Sequence, residues 1–136
     1  MHRWTIEELK NLRESEDKVE YKQAEYGNFA YDGGTKVAPK DRRKCILGYV
    51  VALCNEGGGT LVLGMHDAYP HRVTGTKQNL NAIGVLASNI YRDCGIRPDI
   101  YELYDDPVTK EGRVVVIQID GRPTGKLFRF EDVPLM

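Results

Sequence analysis

Four carboxylates stand where a compact sheet could gather them: Glu14, Glu16, Glu20 and Asp67. Three carboxylates around one point hold a hard divalent ion such as Mg²⁺ or Mn²⁺, which activates water and steadies the charge that develops on a reacting phosphate. Glu20 and Asp67 are the members that any such site shares, with Glu14 or Glu16 as the third. The same residues fit a plainer description. Glu14, Glu16 and Asp17 then form a solvated charge run, and Asp67 is a turn residue after a strand.

A second group is basic. Lys36, Lys40, Arg42, Arg43 and Lys44, interrupted only by Asp41, give a net charge of +4 over residues 36–44, and Lys22 lies upstream. The chain as a whole carries 19 Lys and Arg against 20 Asp and Glu, so affinity for an anionic partner has to come from such local clustering. These side chains are candidates for phosphate contact, with Tyr26, Phe29 or Tyr31 in the intervening segment available to stack on bases. The alternatives are an ordinary solvated face and aromatics that fold back to pin their own loop.

Other chemistries are excluded or poorly supported. Gly57-Gly58-Gly59-Thr60 follows an apolar helical pattern and precedes a strand pattern, the reverse of the strand-loop-helix order that aims backbone amides at phosphate. It reads as a helix C-cap and reversal. No Gly-x-x-x-x-Gly-Lys-Ser/Thr loop and no Gly-x-Ser-x-Gly elbow occurs. Cys45, Cys54 and Cys94 are single and odd in number, which indicates neither a disulfide framework nor a zinc site. His66 and His71, with Pro70 between them, make a weak metal pattern. The N-terminus has no apolar signal core and no apolar run approaches the ~20 residues that span a bilayer, so a soluble, cytoplasmic protein is expected.

The elements that must position these residues follow from local signals. The 136 residues suit one domain. Thr5 with Glu8 forms a capping box for a helix over about 5–13, and Val19 and Tyr21 alternate with Lys18, Glu20 and Lys22 as in a half-exposed strand. Residues 23–40 show no period and read as a long loop. Asp41 is the expected cap of a helix over 41–56 whose first turn is crowded with basic residues, against the helix dipole. A strand at 60–65, a turn at 69–71, a helix at 79–93 and strands at 100–104, 113–120 and 127–130 complete the pattern. Two main helices interleaved with five or six strands predict an α+β fold, a single mixed sheet carrying helices as an α/β sandwich.

Three stretches together carry a family resemblance: Glu14-Ser15-Glu16 with Val19-Glu20-Tyr21-Lys22, Ala52 through Asp67 with its Asn55, Gly57-Gly58-Gly59 and Gly64, and Val73-Thr74-Gly75-Thr76. In order and over nearly the whole chain, they resemble the Schlafen AlbA-like domain. The resemblance implies an AlbA-like fold and a nucleic-acid-binding module, DNA in the first instance, at the N-terminus of a transcriptional-regulator-like protein. An ATP-binding role often attached to the family is not supported here, because the P-loop is missing. A chain ending at Pro134-Leu135-Met136 is then expected to be an N-terminal fragment with a further domain in cis.

Certain animal relatives of the family are metal-dependent RNases. Their acidic triad would fall on Glu14 or Glu16, Glu20 and Asp67, with Mg²⁺ or Mn²⁺ as cofactor and a homodimer completing the cleft. The family places its first glutamate five residues before the second, whereas here Glu14 stands six before Glu20 and Glu16 four before it. A one-residue slip within a strand turns a side chain to the other face. The competing readings are therefore a nucleic-acid-binding module, a metal-dependent endoribonuclease, and a regulatory or dimerisation domain.

Overall fold

The computed structural model describes residues 2–13, 18–24, 31, 45–77 and 83–121, with the backbone of two short strands beyond them. Helix α1 spans Ile6–Asn11 and opens on the expected capping box: the Thr5 hydroxyl accepts from the Glu8 amide and the Glu8 carboxylate accepts from the Thr5 amide. Strand β1, Val19–Lys22, leads to helix α2, Ile46–Asn55, and strand β2, Gly58–Leu63. Helix α3, Ile83–Cys94, precedes the hairpin of β3, Asp99–Asp106, and β4, Glu111–Asp120. Strands β5, Arg129–Phe130, and β6, Val133–Pro134, form a separate antiparallel ribbon.

The main sheet has the order β1-β2-β4-β3. Strands β1 and β2 are parallel, as the helical crossover α2 between them requires, whereas β4 runs antiparallel to both β2 and β3. The expected α+β fold with one mixed sheet is the fold found.

Strand alternation divides the apolar residues between two layers. Leu61, Leu63, Val115, Ile117 and Ile119 face α2 and α3, where they meet Ile46, Val50, Val51, Leu86 and Ile90. Tyr21, Val62, Tyr101, Val114 and Val116 face the opposite way, toward Leu9 of α1 and the flanking Trp4, Ile6 and Leu12. The result is a helix-sheet-helix sandwich. Helix α2 is buried almost all round, at Ile46, Leu47, Gly48, Val50, Val51, Leu53 and Cys54, and α3 buries only a stripe at Leu86 and Ile90.

Two element starts differ from the sequence reading in ways that bear on the site. Helix α2 is capped by Cys45, whose sulfur accepts from the Gly48 amide at 3.3 Å, so Asp41 is not its cap. Its first turn is apolar, and the basic run precedes the cap instead of occupying that turn. Strand β2 begins at Gly58, not at residue 60. Gly58 and Gly59 pair with Asp120 and Ile119 of β4 before the chain reaches Thr60. A Cβ on Gly58 would lie 2.8 Å from the Ile119 carbonyl oxygen, so only glycine lets the two strands close here.

Candidate nucleic-acid interface

Strand β1 lies at the edge of the sheet and sends its side chains to two different environments. Glu20 and Lys22 pair in register with Leu61 and Leu63, which puts them on the α2 side. There Lys22 Nζ stands 3.6 Å from a Glu20 carboxylate oxygen and 4.8 Å from the centre of the Tyr49 ring on α2. Burial works against the Lys22 ammonium, but hydrogen bonding to Tyr49 and the charges of Tyr49 and Glu20 outweigh it and raise its pKa. The side chain is about one third exposed, so a fixed positive charge reaches solvent at this edge. Tyr49 is one helical turn beyond Cys45, the residue that directly follows the basic run 36–44.

The amides that begin α2 are largely engaged. Leu47 donates to the Tyr31 carbonyl at 3.0 Å and Gly48 to the Cys45 sulfur. Tyr31 also ties α2 to α3, because its hydroxyl donates to Asp93 at 2.7 Å. Burial, with help from Asp93, pushes the Tyr31 hydroxyl well above the usual tyrosine range, while Arg92 and Tyr31 hold the Asp93 carboxyl below its usual one. Tyr31 thus braces the two helices through its carbonyl and its hydroxyl.

On the other side of β1, Tyr21 stacks on His71 at 3.7 Å between ring centres. The Tyr21 hydroxyl donates to the Leu9 carbonyl at 2.7 Å. His71 is 2% exposed, with Nδ1 at 3.0 Å from the His66 carbonyl and Nε2 at 2.8 Å from the Leu12 carbonyl. Both ring nitrogens are engaged with the backbone, which removes His71 as a metal ligand. His66 Nδ1 accepts from the Ala68 amide at 3.1 Å, and Asp67 is 79% exposed in the same turn.

The acidic candidates fall in different surroundings. Glu20 stands beside Lys22 on the α2 side, while Asp67 belongs to the turn that packs through His71 onto Tyr21. A divalent ion at Glu20 would share its surroundings with the Lys22 ammonium, 3.6 Å from the carboxylate. Among the described residues, no three His, Cys, Asp or Glu side chains converge as a metal cluster. Glu14 and Glu16 lie outside the described residues, as do Lys36, Lys40, Arg42, Arg43, Lys44, Tyr26 and Phe29.

The glycine run is the reversal anticipated for it. Glu56 ends α2, its amide donating to Ala52, and Gly57 and Gly58 take φ of +102° and +99°. Lys18 Nζ donates to the Glu56 carbonyl at 2.5 Å, closing a shallow cavity of about 360 Å³ shared with Gly121. Val73-Thr74-Gly75-Thr76 is likewise a brace: the Thr74 and Gly75 amides donate to the Gly64 carbonyl, Thr76 N–H to Arg113, and the Thr76 hydroxyl to Ala24. The three cysteines are packing residues, Cys45 and Cys54 buried and Cys94 with its thiol pushed up by burial.

Sequence reasoning missed Tyr49 and Lys18. An aromatic among small apolar residues signals the first, but only the long-range pairing of β1 with β2 reveals what either touches.

These shared segments now coincide with a family comparison: the family model described as Schlafen, AlbA_2 matches residues 14–132. The chain belongs to the Schlafen AlbA_2 family. Among solved structures, it is similar to the DIP2311 protein from Corynebacterium diphtheriae, with a TM-score of 0.53 and 20% sequence identity over 85% of this chain. That likeness is one of fold. The chain spans about one fifth of that protein's length, as the match covers 20% of it. No curated protein matches the chain. No helix among the described residues is long and apolar enough to cross a membrane.

Proposed function

We propose that this Schlafen AlbA_2 domain is a nucleic-acid-binding module that holds phosphates through Lys22 and the basic run Lys36, Lys40, Arg42, Arg43 and Lys44, with duplex DNA as the first partner to test. The observation that carries the reading is the Lys22 ammonium, held charged and one third exposed against Tyr49, one turn from the residue that follows that run. Five further cations in nine residues supply the local field that a chain of balanced charge lacks. Family membership supports the same class of partner. A regulator-like role, with the domain delivering a longer protein to DNA, follows from this reading.

The test is incubation of the purified chain with labelled duplex DNA and with transfer RNA, in Mn²⁺ or in chelator, followed by mobility shift and denaturing gel in parallel. A salt-sensitive shift without cutting is expected. Metal-dependent cutting that disappears in Glu20→Ala would instead make the domain a nuclease, and absence of any shift at low salt would remove the binding reading.

A further inference from the structure

The outer side of α3 carries a feature that the interface above does not use. Tyr91 is 46% exposed, large for an aromatic in a helix whose inner stripe is well packed. Gly95 ends the helix in the left-handed conformation, φ +75°, with its amide donating to the Tyr91 carbonyl at 2.8 Å. The chain therefore doubles back. Ile96 anchors the return in the core, and Arg97 arrives with its guanidinium 4.2 Å from the Tyr91 ring centre. Pro98, with its φ fixed by the ring, restricts Arg97 before it and leads into β3. Tyr91, Arg97 and Pro98, together with Ala87 and Ser88, line an open concavity of about 310 Å³, near the small end for ligand sites.

We infer that Tyr91, flanked by Arg97, is a stacking platform for an unpaired base of single-stranded nucleic acid. The lining supplies what such a base needs and little else: an exposed ring, a guanidinium plane, a rigid proline wall and one hydroxyl. Among the described residues, no carboxylate lines the concavity to repel a phosphate. Of the acidic residues that flank this stretch of chain, Asp93 is paired with Tyr31 and Arg92, and Asp99 with Arg3 at 2.7 Å. The inference rests on the nucleic-acid reading and adds a preference for strands with splayed bases.

The experiment compares the whole chain with Tyr91→Ala, Tyr91→Phe and Arg97→Ala, each titrated with a single-stranded oligonucleotide and with a blunt duplex across a salt series. Loss of one base stack weakens single-strand binding roughly 5- to 150-fold in Tyr91→Ala. Its salt slope and its duplex affinity stay at the wild-type values, and Tyr91→Phe binds as wild type. Arg97→Ala instead flattens the single-strand slope by about 0.7 if the guanidinium meets a phosphate. Wild-type binding that Tyr91→Ala leaves intact overturns the platform alone, as does wild-type binding confined to duplex. A wild type that binds neither probe overturns the nucleic-acid reading and the platform together.

Discussion

The two sides of strand β1 use similar residue types for opposite ends. Toward α1, Tyr21 and His71 stack face to face and spend every polar atom of their rings on backbone carbonyls of Leu9, Leu12 and His66. Toward α2, Lys22 also rests on an aromatic, Tyr49, but its ammonium and the Glu20 carboxylate stay one third to one half exposed. The first pair is sealed and structural, whereas the second keeps a charge at the surface. A histidine or tyrosine is thus informative about chemistry only once its partners are known, since burial with satisfied hydrogen bonds turns it into a strut.

Substitutions can break that contrast. The largest effect is expected for His71→Ala, which removes a buried ring from its contacts with the Leu12 and His66 carbonyls and leaves Tyr21 without its stacking partner. Denaturant unfolding should show a loss of about 3 kcal/mol, with the salt slope of nucleic-acid binding unchanged in the folded fraction. Next, Gly58→Ala forces a Cβ against the Ile119 carbonyl from a left-handed backbone. A loss of about 2 kcal/mol is expected in the same assay. Thr5→Ala removes the α1 cap and should cost about 1 kcal/mol. This is a local effect on the sealed side.

A smaller effect comes with acid. Arg113 holds the Glu102 carboxyl below its usual range at 2.8 Å, and Arg92 with Tyr31 does the same for Asp93. Because these pKa values are lower in the folded chain than in the unfolded one, their contribution is fully present above the ordinary carboxylate range. It is lost as pH falls through that range and below it. Thermal midpoints should therefore decline below about pH 4 and hold steady between about pH 5 and 7; a midpoint that rises on acidification would contradict these pairings. Lys22→Gln, on the open side, should move stability by less than about 0.5 kcal/mol. It should still flatten the salt slope of binding by about one unit.

What could be read from the residues was mostly local. The Thr5–Glu8 box, the alternation at 19–22 and the glycine reversal at 57–59 each depend on neighbours within a few positions, and all three are present in the structure. The start of α2 was misread because Asp41 is a far better cap by type than Cys45, yet burial of Cys45 and the Tyr31 contact decide the boundary. The start of β2 was misread because glycine is a poor strand residue, whereas the close approach of Ile119 and Gly121 requires it. The role of His71 depends on Leu12, 59 residues earlier in the chain, and no short-range pattern announces it. For the candidate site, Glu20, Lys22 and the cationic run are legible in the residues, whereas the contact of Lys22 with Tyr49 and that of Lys18 with the Glu56 carbonyl are not.

The most direct test of the nucleic-acid reading is the salt dependence of duplex binding by the wild type and by a chain in which Lys36, Lys40, Arg42, Arg43 and Lys44 are all glutamine. The wild type should lose affinity linearly in log-log form as salt rises, and the variant should bind more weakly with a slope flatter by about 0.9 for each phosphate contact removed. A wild-type affinity that does not change with salt, or a variant with the wild-type slope, would contradict it.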